Sequence, residues 1–301
     1  MRITQNSMNR TQLMGLENSL GRLQRTQEEL TTGKRLTRPS DNPVDTVSAM
    51  RLRDQQRGLE QLGRNIDDGL ARLRSADDAL TRTSAMLNRV RTQVVSAANG
   101  TNSQNERNAF AAEVQQLREG ILQLANTKYA GASVFAGTQN VDNAFDPATG
   151  KWQGNDAPVI RKITEAASPA GDIDVSISGE KAFGGGTADD LLGAGGILDR
   201  IVTKLNDPTQ GPVADELAKL DSALERLSSA QSTIGARTNR LEGLQQLNGM
   251  QDDASKVALS KVEDTDFMKA AMDLAVQSNA YNAALQASAK IIQPSLMDFL
   301  R

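Results

Sequence analysis

Positions 52, 59, 66, 73, 80, 87 and 94 are Leu52, Leu59, Ile66, Leu73, Leu80, Leu87 and Val94, an apolar row at a fixed spacing of seven. In a chain that is 38% apolar, chance produces such a row in about one register in a thousand. A strict heptad keeps one face of a helix turned toward a partner and implies a left-handed supercoil. The companion positions 55, 62, 69, 76, 83, 90 and 97 hold Gln, Leu, Gly, Ala, Thr, Val and Ala. One bulky edge and one small edge allow a neighbouring helix to come close. Asn42-Pro43 supplies an N-cap acceptor and a first-turn proline, with Asp45 in the first turn, and Asn99-Gly100 is the expected stop. Asp45 to Ala98 then forms a rod of roughly 80 Å.

Two further rods are expected beside it. Ser103 and Glu106 form a capping box, followed by the seam residues Phe110, Val114, Leu117, Ile121 and Leu124. The short link after the first rod makes this pair antiparallel. Val213, Leu220, Leu227, Ile234 and Leu241 resume the heptad, with Gln231, Thr238 and Gln245 turning its second edge polar. The termini carry shorter stripes. Leu13, Leu16, Leu20, Leu23 and Leu30 run at one end, and Phe267, Ala271, Leu274, Tyr281, Leu285 and Ile292 at the other. Short amphipathic helices are marginal alone and gain stability from a partner.

Proline and glycine mark where the rods are interrupted. No proline occurs from Val44 to Asp146 or from Val213 to Gln293, whereas residues 131–196 hold 12 of the 24 glycines. This turn-rich insert also contains an alternating segment, Asp172 to Ile177, that reads as a half-buried strand. Phe135, Phe145, Trp152, Val159, Ile160, Ile163 and Phe183 are candidates for a small β core. The fold class expected is mainly α: long antiparallel coiled-coil rods, paired terminal helices and a small inserted β-rich domain. The expected division is 1–42 with 265–301 as terminal helices, 43–130 with 197–264 as rods, and 131–196 as the insert.

Composition narrows the chemistry. The chain lacks histidine and cysteine, which removes the commonest general base, every thiol nucleophile, disulfides and Cys/His zinc sites. Gly184-Gly185-Gly186-Thr187 lacks the spacing and lysine of a phosphate loop, and Asp172, Asp174 and Ser176 lack the glycine of a calcium loop. Asp67-Asp68, Asp77-Asp78 and Asp252-Asp253 lie beside arginines and read as solvated helix faces. No catalytic residue, cofactor or metal ligand is expected. A net charge of −3 with interspersed signs argues against nucleic acid. No apolar run is long enough to cross a bilayer, and the opening residues have no secretory h-region. Two readings of another class remain at this point: an exported enzyme on a coiled-coil stalk and a cytoplasmic coiled-coil signalling protein.

Gly33-Lys34-Arg35-Leu36-Thr37-Arg38-Pro39-Ser40-Asp41-Asn42-Pro43-Val44 resembles the signature of flagellins and their relatives, with Ser40, Asp41, Asn42 and Pro43 as its centre. Asn42 stands where a second aspartate is usual. Gly131-Ala132-Ser133-Val134-Phe135-Ala136-Gly137-Thr138 is similar to that family's step into its insert, and Tyr281 to Ile291 resembles its terminal helix. The resemblance covers roughly residues 1–140 and 200–301 and only loosely the insert. It implies a structural subunit of the bacterial flagellum, placed between hook and filament or in the filament itself. It also implies export without a cleavable signal. The implied partners are a hook-side junction protein, flagellin, further copies of the chain in a ring, and an export chaperone at the C-terminal helix.

Overall fold

The computed structural model describes residues 5–98, 102–163, 172–185 and 190–299, with side chains described between 10 and 289 other than 208. The expected helix stop at Asn99-Gly100, Gly186-Thr187 and the side chain of Ile292 lie outside the described residues. The elements run α1 (Gln5–Thr32), α2 (Pro43–Ala97), α3 (Gln104–Ala125), β1 (Lys128–Tyr129), β2 (Ala132–Ser133), β3 (Ile160–Lys162), β4 (Asp172–Asp174), α4 (Gly179–Phe183), α5 (Ile197–Asn206), α6 (Leu217–Glu263) and α7 (Phe267–Phe299). The chain divides into two compact units, Met1–Arg57 with Gln251–Arg301, and Gly58–Met250.

The Gly58–Met250 unit owes its form to the heptad. Leu59, Ile66, Leu73, Leu80, Leu87 and Val94 of α2 are at most 5% exposed. On the companion edge Gly69, Ala76, Thr83, Val90 and Ala97 are buried as well. Thr83 has no free polar group in this core, because its hydroxyl donates to the Ala79 carbonyl at 2.8 Å. Polar pairs at the rim set direction. Arg91 meets Asp221 at 2.8 Å, Gln231 meets Thr81 at 3.0 Å, Arg74 meets Glu242 at 3.2 Å and Gln245 meets Asp67 at 2.7 Å. Positions rise on α2 as they fall on α6, so the two helices are antiparallel. Val213, Leu220, Leu227, Ile234 and Leu241 supply the facing core row. The capping box at Ser103 and Glu106 is formed and starts α3, whose Glu113 accepts from Arg89 of α2 at 2.8 Å.

The small edge matters most at Gly69. A Cβ there would lie 3.0 Å from Val175 Cγ1 and 3.3 Å from Leu241 Cδ1. The insert therefore presses into the groove between α2 and α6, and its residues belong to one continuous core with theirs. Phe135, Phe145 and Phe183 are fully buried, with edge-to-face ring contacts at centroid separations of 5.2 and 5.3 Å. Trp152 is half-buried, and its indole N–H donates to the Phe135 carbonyl at 3.1 Å. The alternation at 172–177 buries Ile173, Val175 and Ile177. Strand pairing covers only 172–174, against β3, and Ile160 is 52% exposed. Among the described residues the strands form two antiparallel two-stranded ladders, β1 with β2 at the entry to the insert and β3 with β4 within it. Its aromatic cluster and the helices α4 and α5 do the burying that a larger sheet would otherwise do.

Candidate assembly surface

The flagellin-like motif builds a joint in the Met1–Arg57 and Gln251–Arg301 unit. α1 ends at Gly33, whose φ of +68° suits a residue without a Cβ. The Asp41 carboxylate accepts from the Arg38 N–H at 2.9 Å. Asn42 caps α2, with its Oδ1 accepting from the Val44 and Asp45 N–H groups at 3.1 and 3.2 Å. Its amide also donates to Asp45 Oδ2 at 2.7 Å. An aspartate at 42 would set two carboxylates against each other there, so the departure from the usual pattern has a local reason. Pro43 opens the helix and Ser40 lies in an exposed turn. The α6–α7 joint is fastened to this loop. The Arg35 N–H donates to the Glu263 carbonyl at 2.7 Å, and the Thr265 N–H to the Gly33 carbonyl at 3.0 Å. The Glu263 side chain, only 4% exposed, pairs with Lys34 at 3.1 Å and with Arg53.

From this joint α1 and α7 run back antiparallel and in contact with each other. Their inner rows are mixed. On α1 the covered or half-covered positions include Gln12, Leu16, Ser19, Leu23, Thr26 and Leu30, a 3–4 repeat in which leucines alternate with polar residues. On α7 the matching set is Ala270, Leu274, Gln277, Tyr281, Ala284 and Ser288. The Thr26 hydroxyl, in a residue 7% exposed, donates to Gln277 Oε1 at 3.0 Å. The terminal stripes of the sequence are thus divided between two sides of the pair. Leu16, Leu23, Leu274 and Tyr281 turn inward, whereas Leu13, Leu20, Phe267 and Leu285 face solvent at 60%, 38%, 63% and 42% exposure. The pair meets along one narrow row, and none of the described residues covers the exposed positions.

The contrast between the two units is sharp. Of 16 large apolar residues exposed among the described ones, 12 lie in the unit formed by the termini. Its fully buried apolar residues, again among those described, are Ala49 and Ala270. Leu52 is half-buried, and the row from Leu59 onward belongs to the other unit. Leu13, Met14 and Leu20 on α1, and Phe267, Met268, Met272, Val276 and Leu285 on α7, are exposed, more large apolar side chains than the half-buried Leu16, Leu23, Leu30, Leu274 and Tyr281.

Sequence reasoning did not single out a set of positioning arginines. Arg72 of α2 is 5% exposed, and its Nη2 donates to the Ser133 and Val134 carbonyls at 3.2 and 3.1 Å. Burial, reinforced by the nearby charge of Arg161, pulls its pKa below the ordinary arginine value. Arg118 of α3 donates to the Leu192 carbonyl at 2.8 Å, and Arg237 of α6 binds the Ser176 carbonyl and the Asp174 carboxylate. Arg72 and Gly69 share a helical face with the seam, and an arginine on a seam face was the available signal. Among the described residues no group of acidic side chains is placed to hold a metal ion.

Residues 3–140 match the family profile of the bacterial flagellin N-terminal helical region. Flagellin of Bacillus subtilis is 29% identical over 296 residues, covering 95% of this chain and 94% of that one. Flagellar hook-associated protein 3 of Salmonella typhimurium is 25% identical over 310 residues, covering 96% and 95%. The solved flagellar junction protein FlgL of Legionella pneumophila shares the fold, with a TM-score of 0.57 at 18% identity, over 72% of this chain and 99% of that one. Over nearly its whole length the chain is similar to proteins of the flagellin family. Flagellar hook-associated protein 3 of Escherichia coli is similar as well, 24% identical over 307 residues, covering 95% of this chain and 96% of that one.

Proposed function

We infer that the chain is a structural subunit of the bacterial flagellum, working at the junction between hook and filament. The observation that carries this reading is the terminal helix pair, which presents more large apolar side chains to solvent than it encloses. Apolar area left in water costs about 25 cal/mol per Å². A pair built this way is completed by the helices of neighbouring subunits. Head-to-tail contacts of that kind close into rings or continue as helical tubes, and a ring seated on the hook is the arrangement we propose. Export as an unfolded chain, with a chaperone at the C-terminal helix before assembly, is what the resemblance implies, and an exposed apolar terminal pair is in keeping with it.

The role is mechanical, and no catalytic step is assigned to any residue. The direct test adds purified chain to isolated hooks. A junction subunit binds in a limited amount and then permits flagellin to polymerise from the decorated end. The resemblance to flagellin across nearly the whole chain favours the filament as the second reading, and continuous elongation by the chain alone would establish it in place of the first. Under the first reading, cells lacking this subunit should bear hooks without filaments.

A further inference from the structure

The exposed surface of the terminal pair is rich in one chemically particular residue. Met268 and Met272 of α7 are 73% and 60% exposed and lie one helical turn apart, in line with Val276 at 67%. Met14 on α1 and Met50 on α2 are 54% and 56% exposed in the same unit. The chain contains no cysteine, so its thioethers are its only sulfur atoms. Met86, by contrast, is half-buried and packed against the core beside Gly120.

We propose that Met268 and Met272 form an oxidation site at which peroxide switches off assembly of the free subunit. This rests on the terminal surface being the assembly face. The thioether sulfur attacks one oxygen of hydrogen peroxide, the O–O bond breaks, an S–O bond forms, and the other oxygen leaves as water. Sulfur gives up two electrons and peroxide takes them. The product sulfoxide is polar, and placing it where an apolar methionine was to be buried opposes the contact. The reaction needs solvent access, so the unassembled chain is vulnerable and the assembled one is shielded. Reduction of the sulfoxide restores the surface, which makes the change reversible. Two residues on one stripe act together, because a neighbour covering either covers both.

Limited hydrogen peroxide treatment of the full chain, followed by peptide mass analysis, reads the site directly. Met268 and Met272 should be oxidised well before Met86. Binding of treated protein to isolated hooks should fall about tenfold or more, and methionine sulfoxide reductase should restore it. The Met268→Leu/Met272→Leu variant should keep after peroxide most of the hook binding that it shows untreated. The proposal is overturned if oxidised wild-type protein binds as well as untreated, or if the leucine variant is inactivated equally. Untreated Met268→Asp/Met272→Asp protein separates the two levels. If it binds hooks like wild type, the stripe is not an assembly face and the underlying reading fails too. If it fails to bind while oxidised wild type binds, only the oxidation proposal is lost.

Discussion

Leu80 is the most informative single position for the rod architecture. It is fully buried, midway between Leu73 and Leu87 in the α2 row. Truncation by Leu80→Ala removes buried methyl groups and leaves a cavity, at a cost of about 3 kcal/mol. The Gly58–Met250 unit has about 190 residues, a size at which each kcal/mol moves the melting temperature by about 2–4 °C. A fall of roughly 6–12 °C is therefore expected. Leu80→Asp forfeits the same burial and also strips a carboxylate of water, adding several kcal/mol. The sum reaches the range of about 5–15 kcal/mol that holds an ordinary domain together, so the cooperative transition should be lost near neutral pH. A carboxyl there has its folded-state pKa raised by burial. Its penalty is full above that raised value and fades as pH falls toward the unfolded value of about 3.9, so Leu80→Asp should recover relative to wild type in mild acid. Asp78, exposed two residues away, should tolerate alanine within about 0.5 kcal/mol. Circular dichroism melts of the three variants decide the matter. A Leu80→Asp protein melting like wild type at pH 7 would refute the seam and the bundle built on it.

Three other outcomes are expected. Arg72→Ala leaves the Ser133 and Val134 carbonyls without their donor, and urea titration should show a loss of about 2–4 kcal/mol, larger than for any exposed arginine of α2. Glu216, 2% exposed and held by Arg200 and Lys204 at 3.0 Å each, has burial raising its pKa but the two cations bringing it below the ordinary value. Such a carboxylate stabilises fully above about pH 4.5, and its contribution is lost as pH falls through the depressed folded-state pKa. Glu216→Gln should thus be less stable at pH 7 by about 3 kcal/mol and show a flatter acid limb in pH-dependent melts. Phe267→Ser, at a residue 63% exposed, should melt like wild type while losing binding to isolated hooks, and normal binding would count against the assembly surface.

The residues alone determined the rods. A seven-residue repeat sustained from Leu52 to Val94 has one economical solution, a helix with partners along its length, and the caps at Asn42 and Ser103 fix where helices begin because they act within a turn of themselves. The composition likewise fixed the absence of thiol and imidazole chemistry. What the sequence left undecided was every question of which neighbour covers which row. The terminal leucines at 3–4 spacing read as one stripe, and only the packing of α1 on α7 separated Leu16 and Leu23, turned inward, from Leu13 and Leu20, turned out. A stripe wider than one contact row can present either edge, and the choice belongs to the partner's small residues. The insert was similarly open. Its apolar residues were visible, but the pressing of Val175 onto Gly69 and the reach of Arg72, Arg118 and Arg237 to its carbonyls depend on residues about 60 to 105 positions apart in the chain. Local pattern reports the period of an element and its ends. Contacts between distant segments are settled by shape and by the need to satisfy buried polar groups, and those exist only once the chain is folded.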